Sequence, residues 1–383
     1  MTDTELIEHG SATRRAAVNT GPARRTDLEG GAVLHALGRF GLPMLLVIVL
    51  AAFSLLKPDS FFAWANFNAT FSQQAIILTV ALGVMVPLIV NEFDLSVGAN
   101  AGFAAILAVG LAEKQGLPAW LAIACAIGVS SGIGLVNGLI VTRLKVNSFV
   151  ATLGMATAIG GFGLLYTGGL DIQSAPEALV NIGRASIGNV ELPVIVAIVL
   201  AIVLLVVLQY LPAGRQLLAV GANRRAAELT GIRADRRIVM TFVAAGAIVG
   251  VGGALYGANL GAAGNGTGPT LLLPAFAGAF LGSTTITPGR YNVGGTVIAV
   301  LLLAFTVSGL EQLGVEPWIE SMVQGFALIA AVAFSSWAIR RRTTLLREHQ
   351  LQILAEDEEG TTAGVLEAEG PSSEPRTDKV RRT

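Results

Sequence analysis

The chain has 383 residues, of which 53% are hydrophobic and only 13% are charged, and its formal net charge is −1. A soluble globular domain carries about 25% charged residues, so this composition excludes an ordinary soluble protein and predicts an all-α polytopic membrane protein. The chain has one cysteine, Cys125, and its three histidines lie outside the apolar segments. We therefore expect no disulfide, no metal site and no cofactor.

Two polar tails enclose ten apolar segments. Residues 1–38 and 343–383 lack apolar periodicity, and both are predicted to be largely disordered cytoplasmic tails that flank a transmembrane domain over residues 39–342. Together the apolar segments predict about ten transmembrane helices. Their approximate bounds are 41–56, 73–90, 97–112, 118–141, 149–166, 192–211, 238–260, 271–283, 292–309 and 319–339.

Lysine and arginine predict the orientation of these helices, because cytoplasmic loops are enriched in both residues. With the N-terminus in the cytoplasm, the external loops hold only Lys57, Lys114 and Arg184, and the cytoplasmic loops hold the other basic residues between the spans. This asymmetry predicts an even number of spans with both termini cytoplasmic. The two longest loops are then residues 167–191 outside and residues 212–237 inside.

The stretch NEFDLSVG, residues 91–98, interrupts the apolar pattern with two carboxylates, Glu92 and Asp94. In one interpretation Asp94 caps the start of the next helix and Glu92 is a solvated loop residue. In the other, the break lies below the membrane surface and lines a transport path, since non-helical backbone at depth is tolerated only beside a cavity. The two interpretations are compatible, and the sequence leaves both open.

Segments 2–5 and 7–10 predict an internal pseudo-repeat, in which the third and eighth segments correspond. Both segments are short for a membrane helix, and the eighth contains Pro274. Short or proline-broken segments at matching places of two halves indicate a transport site. The predicted substrate-path residues are Asp94, Ser96, Asn137, Thr152 and Pro274, although Asn137 and Thr152 could instead bond a neighbouring helix.

Glycine pairs at Gly-x-x-x-Gly spacing predict close helix packing. We expect them to pack within one subunit rather than to form a seam between two copies. The pairs are Gly128/Gly132, Gly134/Gly138, Gly246/Gly250 and Gly253/Gly257.

Four stretches of the chain carry a family signature: FDLSVG (93–98), GLVNGLIVTRLKVNSFVATLG (134–154), GANRRAAELTGI (221–232) and LGSTTITPGRYNVGGTVIAVLLL (281–303). In order and spacing they resemble ribose-type ABC importer permeases, and the likeness runs from about residue 66 to 336. The resemblance implies a multi-pass subunit of a bacterial inner-membrane importer that has no enzymatic activity of its own. It also implies an ABC ATPase partner, an extracytoplasmic solute-binding protein that delivers a small solute, typically a sugar, and a second permease copy or close paralogue within the lipid.

The resemblance places the ATPase contact at residues 221–232, whose composition favours a short capped helix. Asn223 can cap its start, and Gly231 suits a left-handed stop. Helix spacing predicts a low-profile face of Asn223, Ala227 and Thr230 that inserts into a cleft on the ATPase. The alternative is an interfacial loop whose arginines only set the orientation. The predicted coupling residues are Gly221, Asn223, Ala226, Ala227, Glu228 and Gly231.

The energy source and the solute leave alternatives open. The chain has no phosphate-binding G-x-x-x-x-G-K-[ST] motif, so energy comes from a partner or, in the alternative of an ion-coupled secondary transporter, from an ion gradient. An intramembrane enzyme would need a nucleophile and base pair or a metal motif, and the sequence contains neither. Asn91, Glu92 and Phe93 replace the family's usual glycines, and TLLLPAFAGAFLGS (270–283) lacks its usual acid, so pentoses, hexoses, polyols, nucleosides and signalling furanosides all remain open.

Overall fold

A computed structural model of the chain describes residues 25–333, apart from residues 62, 317, 320 and 331. The chain divides into two units, residues 1–37 and residues 38–383. The described part of the first unit is helical from Arg25. Residues 25–38 therefore form helix within the predicted N-terminal tail, whereas residues 1–24 and the predicted C-terminal tail lie outside the described residues.

The described residues form twelve numbered helices and one two-stranded antiparallel hairpin, and a further apolar helix, Ser321–Ala330, follows them. The helices are α1 Arg25–Leu56, α2 Trp64–Ile89, α3 Val97–Glu113, α4 Ala119–Arg143, α5 Ser148–Thr167, α6 Glu177–Gly183, α7 Leu192–Gln209, α8 Pro212–Ala222, α9 Arg224–Leu229, α10 Ala234–Leu260, α11 Thr267–Gly282 and α12 Val293–Gln312. The hairpin strands are β1 Ser186–Ile187 and β2 Val190–Glu191, and Ser186 pairs with Glu191.

Each of the ten predicted apolar segments overlaps a helix, although part of the last segment lies outside the described residues. Six of these helices, α2, α4, α5, α7, α10 and α12, are long and apolar enough to cross a membrane. The other apolar helical segments are shorter and include Phe40–Leu56 of α1, α3 with 17 residues and α11 with 16. The prediction of an all-α polytopic membrane protein is confirmed.

Three of the four glycine pairs hold the central helices together. A Cβ at Gly134 would lie 2.1 Å from the carbonyl oxygen of Phe242, so α4 and α10 approach too closely for a side chain. The pair Gly246/Gly250 faces α4 from the other side of the same contact, and Gly253/Gly257 packs on α3. The prediction of packing within one subunit is confirmed for these pairs.

The fourth pair, Gly128/Gly132, makes no such contact. A Cβ at Gly128 or Gly132 would meet no described atom within 4 Å. The prediction that this pair packs within the subunit is wrong, because this face of α4 has no helix of the described chain against it.

The two short helices α3 and α11 begin side by side. A Cβ at Gly98 would lie 2.8 Å from the carbonyl oxygen of Gly268, and a Cβ at Gly102 would lie 2.8 Å from the Gly268 nitrogen. In the first turn of α3, Asn100 Nδ2 donates to the carbonyl oxygen of Ser130, 3.2 Å away, near the middle of α4. The start of α3 therefore lies deep between longer helices.

The segments that precede these two helices share one backbone design. We name residues 90–96 the first break and residues 261–266 the second break. Each follows a long helix through a left-handed residue, Asn91 with φ 59° or Gly261 with φ 74°. Each ends in a right-handed residue just before the short helix, Ser96 with φ −74° or Gly266 with φ −73°. The segments therefore match in both halves of the chain, at the places where the pseudo-repeat was predicted.

Candidate transport site

α2 ends at Ile89, and the first break turns away from it at Asn91. Asparagine tolerates the left-handed conformation and is a common helix stop. The Asn91 N–H donates to the Leu88 carbonyl oxygen, and the Glu92 N–H donates to the Pro87 carbonyl oxygen, both at 3.1 Å. These bonds satisfy carbonyl groups at the end of α2 and turn the chain into an extended segment.

Asp94 is buried in this extended segment, with 5% of its surface exposed. Its Oδ1 accepts hydrogen bonds from the Ser96 N–H, at 3.0 Å, and from the Ser96 Oγ, at 2.5 Å. Asn137 Nδ2, on α4, donates to the same Ser96 Oγ over 2.8 Å. The structure therefore brings three predicted path residues into one hydrogen-bonded group.

The cap predicted at Asp94 is displaced by two residues. Ser96, not Asp94, occupies the N-cap position of α3, and the Ser96 side chain makes no capping bond. The Asp94 carboxylate instead accepts the N–H of Ser96, because the chain makes a turn at Leu95 and Ser96 before the helix begins. It accepts the N–H two residues further along the chain, as a cap would, but in a turn that ends before α3 begins.

Two hydroxyl groups from the first turns of α5 satisfy the backbone of the first break. Ser148 Oγ accepts the Phe93 N–H at 3.1 Å, and Thr152 Oγ1 accepts the Leu95 N–H at 3.0 Å. A buried N–H without a partner is costly, so these bonds allow extended backbone among apolar helices. Thr152 and Asn137 thus bond a neighbouring segment, which is one of the two roles foreseen for them. Ser148 was not predicted, and its one local signal is that it follows Asn147, whose side chain caps α5.

Pro274 is not part of this group. It lies inside α11, where it is buried. It lines a void of about 10 Å³ with Gln74 and Val300. The structure therefore separates Pro274 from the other four predicted path residues.

Two larger cavities lie on either side of the first break. One has a volume of about 870 Å³ and is lined by five aromatic side chains, and we name it the aromatic cavity. The other has a volume of about 340 Å³ and includes five glycines among its fifteen lining residues, and we name it the glycine cavity. The aromatic residues are Phe93, Phe149, Phe276, Phe280 and Tyr291.

The aromatic side chains of the larger cavity pack on one another. The ring of Phe280 lies 6.3 Å from that of Phe93, 6.0 Å from that of Phe276 and 5.8 Å from that of Tyr291, measured between centroids. These residues come from the first break, α11 and the segment that follows α11. This cavity was not predicted, because no local spacing in the sequence connects its aromatic residues.

The predicted coupling loop forms the helix that its residues favour. Asn223 caps α9, since its side chain accepts the Ala226 N–H at 3.0 Å. Gly231 adopts the left-handed conformation, with φ 85°. Both parts of this local prediction are confirmed.

The predicted docking face requires a correction at Ala227. Only 4% of Ala227 is exposed, and it belongs to the hydrophobic core. Helix spacing placed it outward with Asn223 and Thr230, but α9 packs against the membrane domain through this residue. The exposed residues of the element include Arg225, Ala226 and Leu229, and Leu229 is 85% exposed.

Ion pairs fix α9 to its neighbours. Arg224 Nη2 pairs with Asp235 Oδ1 at the start of α10, and Lys145 Nζ, from the α4–α5 connection, lies 3.1 Å from Asp235 Oδ2. Arg224 Nε also lies 3.4 Å from Glu228 Oε1. These groups are largely exposed, so each pair contributes modestly to stability. Of the three, the Arg224–Asp235 pair connects α9 to the start of α10.

Gly221 connects this loop to the first break. A Cβ at Gly221 would lie 2.0 Å from the carbonyl oxygen of Ile89, so α8 touches the end of α2 without an intervening side chain. Asn91 Nδ2 donates to the Gly221 carbonyl oxygen at 2.5 Å. The loop therefore contacts the first break directly, through Gly221 and Asn91.

The second break is held by the loop between α5 and α7. Ile172 and Ala263 form an isolated antiparallel bridge, with N–H to oxygen bonds of 2.8 and 2.9 Å. A Cβ at Gly264 would lie 1.8 Å from Asp171 Oδ1, so the carboxylate occupies space that only a glycine leaves open. Asn265 Nδ2 also donates to Thr167 Oγ1 at 3.2 Å, at the end of α5.

Among the described residues, no group of three or more histidine, cysteine or acidic side chains could hold a metal ion. The lining of the two cavities contains one charged side chain, Arg290.

Comparison with known proteins gives a consistent result. The model of the family described as the branched-chain amino acid transport system permease component matches residues 66–332. The ribose import permease protein RbsC of Bacillus subtilis is 32% identical over 312 residues, which cover 81% of this chain and 94% of that protein. The galactose/methyl galactoside import permease protein MglC of Haemophilus influenzae is 28% identical, covering 76% of this chain and 92% of that protein.

A third relative extends the range of solutes. The autoinducer 2 import system permease protein LsrC of Yersinia enterocolitica is 30% identical over 291 residues, which cover 76% of this chain and 81% of that protein. No solved structure matches the chain significantly.

Proposed function

Because this chain belongs to the family of branched-chain amino acid transport system permease components, we infer from its site how it works as the membrane-spanning permease subunit of an ABC importer. It is a transport subunit and not an enzyme, and it is a multi-pass protein of the inner membrane. The proposal concerns its solute, its topology, its partners and the way in which they act on the first break.

The proposed solute is a neutral sugar or a close relative of one. Three relatives carry the names of ribose, galactose and autoinducer 2 importers. An amino acid is a zwitterion, so it needs charged side chains of both signs around it when it leaves water. The cavities offer only Arg290, whereas aromatic rings and a few polar groups suit a neutral polyhydroxy solute.

The proposed topology has ten crossings with both termini cytoplasmic. It follows from the basic residues, which predict a cytoplasmic loop over residues 212–237 and an external loop over residues 167–191. Topology reporters fused at positions 175 and 225 should report opposite sides of the membrane, with position 225 cytoplasmic. Reports from the same side would contradict this topology.

The proposed partners are an ABC ATPase on the cytoplasmic loop, an external solute-binding protein and a second permease copy. The chain contains no phosphate-binding loop of its own, so ATP hydrolysis requires another subunit. On the α4 face at Gly128 and Gly132, a Cβ would meet no described atom within 4 Å, which is compatible with an approaching second copy.

The observation that carries the proposed mechanism is the contact of Gly221 with Ile89 and Asn91. When the ATPase closes, it displaces α9 and α8, and α8 pulls the end of α2 and the first break. The first break then changes the connection between the two cavities. Asp94 is the one buried acidic or basic side chain among those described, and Ser96 already donates two hydrogen bonds to it. This weakens the ion-coupled alternative.

Reconstitution tests this function. The permease is placed in proteoliposomes with the ATPase and the binding protein of the same importer, and uptake of labelled ribose, galactose and leucine is measured. We expect a sugar to accumulate only when ATP and the binding protein are both present. Accumulation driven by an ion gradient without ATP, or uptake of leucine alone, would contradict the proposal.

The docking element is tested with two neighbouring alanines. Ala226 is exposed and Ala227 is buried, so Ala226→Trp should abolish co-purification of the ATPase without changing the thermal stability of the permease. Ala227→Trp should instead lower the melting temperature, because a bulky ring cannot fit into the core. If the Ala226→Trp variant recruits the ATPase normally, α9 is not the docking element.

A further inference from the structure

The aromatic cavity and the glycine cavity share two lining residues, Leu95 and Leu272. Leu95 belongs to the first break and Leu272 to α11. All other lining residues belong to one cavity alone. These two leucines therefore stand at the boundary between two spaces that are each large enough for a small molecule, since ligand sites measure about 300–1,000 Å³.

The backbone of Leu95 is held firmly. Its N–H donates to Thr152 Oγ1 at 3.0 Å, and its neighbours Asp94 and Ser96 are buried and bonded to each other. The polar group around Asp94 therefore fixes the position from which the Leu95 side chain projects.

Leu272 rests on the start of α3. A Cβ at Gly98 would lie 2.6 Å from Leu272 Cβ and 3.0 Å from Leu272 Cδ1, so a larger residue at position 98 would displace this side chain. Both leucines are thus positioned by the first break and the first turn of α3. A movement of the first break changes their separation.

The two cavities extend from this boundary to different parts of the molecule. The glycine cavity extends to Asn265 and Gly264 of the second break, and the aromatic cavity extends to Gly221 and Arg290 beside the proposed cytoplasmic loop. Narrow apolar constrictions exclude water and hydrated solutes and so act as gates.

We propose that Leu95 and Leu272 form an apolar septum that closes the solute path between the glycine cavity and the aromatic cavity. This inference rests on the proposed transport function. The septum opens when the cytoplasmic loop, through Gly221 and Asn91, moves the first break. It makes passage between the two cavities depend on the ATPase.

A leak assay tests the septum without the partners. Purified permease is reconstituted into liposomes that contain labelled ribose, without ATPase or binding protein, and the escape of label is followed. We expect the wild-type protein to be tight, and Leu95→Ala and Leu272→Ala each to accelerate escape by about tenfold. Leu95→Met, which keeps the volume, should remain tight.

Leu273 supplies the matched control. It follows Leu272 on α11, is 51% exposed and lines the aromatic cavity alone. Leu273→Ala should be as tight as the wild-type protein. A Leu95→Ala/Leu272→Ala double variant that stays tight, or a Leu273→Ala variant that leaks equally, would overturn the septum.

A labelling experiment gives a second, transport-free measurement. Asn265→Cys, in a Cys125→Ala background, should react with an impermeant maleimide only from the external side while the septum is intact. With both leucines changed to alanine, it should react from both sides. Reaction from both sides with the leucines intact would refute the proposal. If the septum behaves as expected but the complete importer accumulates no sugar, the proposed solute is wrong and the septum stands.

Discussion

The two breaks have nearly the same backbone and very different means of support. The first is held by side chains: Asp94 bonds Ser96, and hydroxyl groups of α5 accept its N–H groups. The second is held by backbone, through the bridge between Ile172 and Ala263, and by the fit of Asp171 against Gly264. The comparison shows that one turn geometry can be stabilised either by buried polar side chains or by an overlying loop.

The difference has a functional consequence. The first break is fixed to α4 and α5 and touches the proposed cytoplasmic loop through Asn91. The second is tied to the α5–α7 loop, which the proposed topology places outside. In the proposed topology each break thus contacts a loop on its own side of the membrane, and the supports should respond differently to substitution.

The largest effect is expected at Asp94. Asp94→Leu leaves the Ser96 N–H and hydroxyl without their buried acceptor, which should cost about 1–3 kcal/mol for each group and abolish most uptake. Asp94→Asn retains an acceptor oxygen and should reduce uptake only moderately. Uptake assays and thermal unfolding in detergent measure both variants. If both variants take up solute and unfold like the wild-type protein, the polar support of the first break is unimportant.

A smaller effect is expected at Thr152. Thr152→Val keeps the shape but removes the acceptor of the Leu95 N–H, which should cost about 1–2 kcal/mol. Thr157→Val is the matched control, because Thr157 Oγ1 donates only to the Leu153 carbonyl oxygen of its own helix. Melting temperatures should fall for the first variant and stay near the wild-type value for the second. A similar fall in both would indicate a general effect of α5 hydroxyl groups.

The smallest effect is expected at the second break. Gly264→Ala displaces the exposed Asp171 side chain and should lower the melting temperature slightly. Gly266→Ala has no described atom within 4 Å of the new Cβ and should be neutral. Adding Asp171→Ala to Gly264→Ala should restore the stability, as a double-mutant cycle would show. If the effects of the two substitutions on stability simply add, Asp171 does not support this break.

Local chemistry allowed some of these features to be predicted from the sequence. The cap at Asn223 and the stop at Gly231 depend on neighbouring residues alone, and both were predicted correctly. The ten apolar segments were also predicted, because a local run of apolar residues is visible in the sequence whatever its packing, and each overlaps a helix.

Features that depend on packing between distant segments could not be predicted. The burial of Ala227 depends on which side of α9 meets the core, and helix spacing does not determine that. The septum joins the first break to α11 across some 180 residues of sequence, and Asp171 meets Gly264 through a fold that no motif encodes.

The central claim is that the cytoplasmic loop acts on the first break through Gly221. The direct test is the number of solute molecules transported per ATP hydrolysed in proteoliposomes that contain the complete importer. Gly221→Ala should leave ATPase recruitment intact but lower this ratio several-fold, because the new Cβ would collide with the Ile89 carbonyl oxygen. The neighbouring exposed Ala222→Ser serves as control and should keep the wild-type ratio. An unchanged ratio in Gly221→Ala would contradict the account.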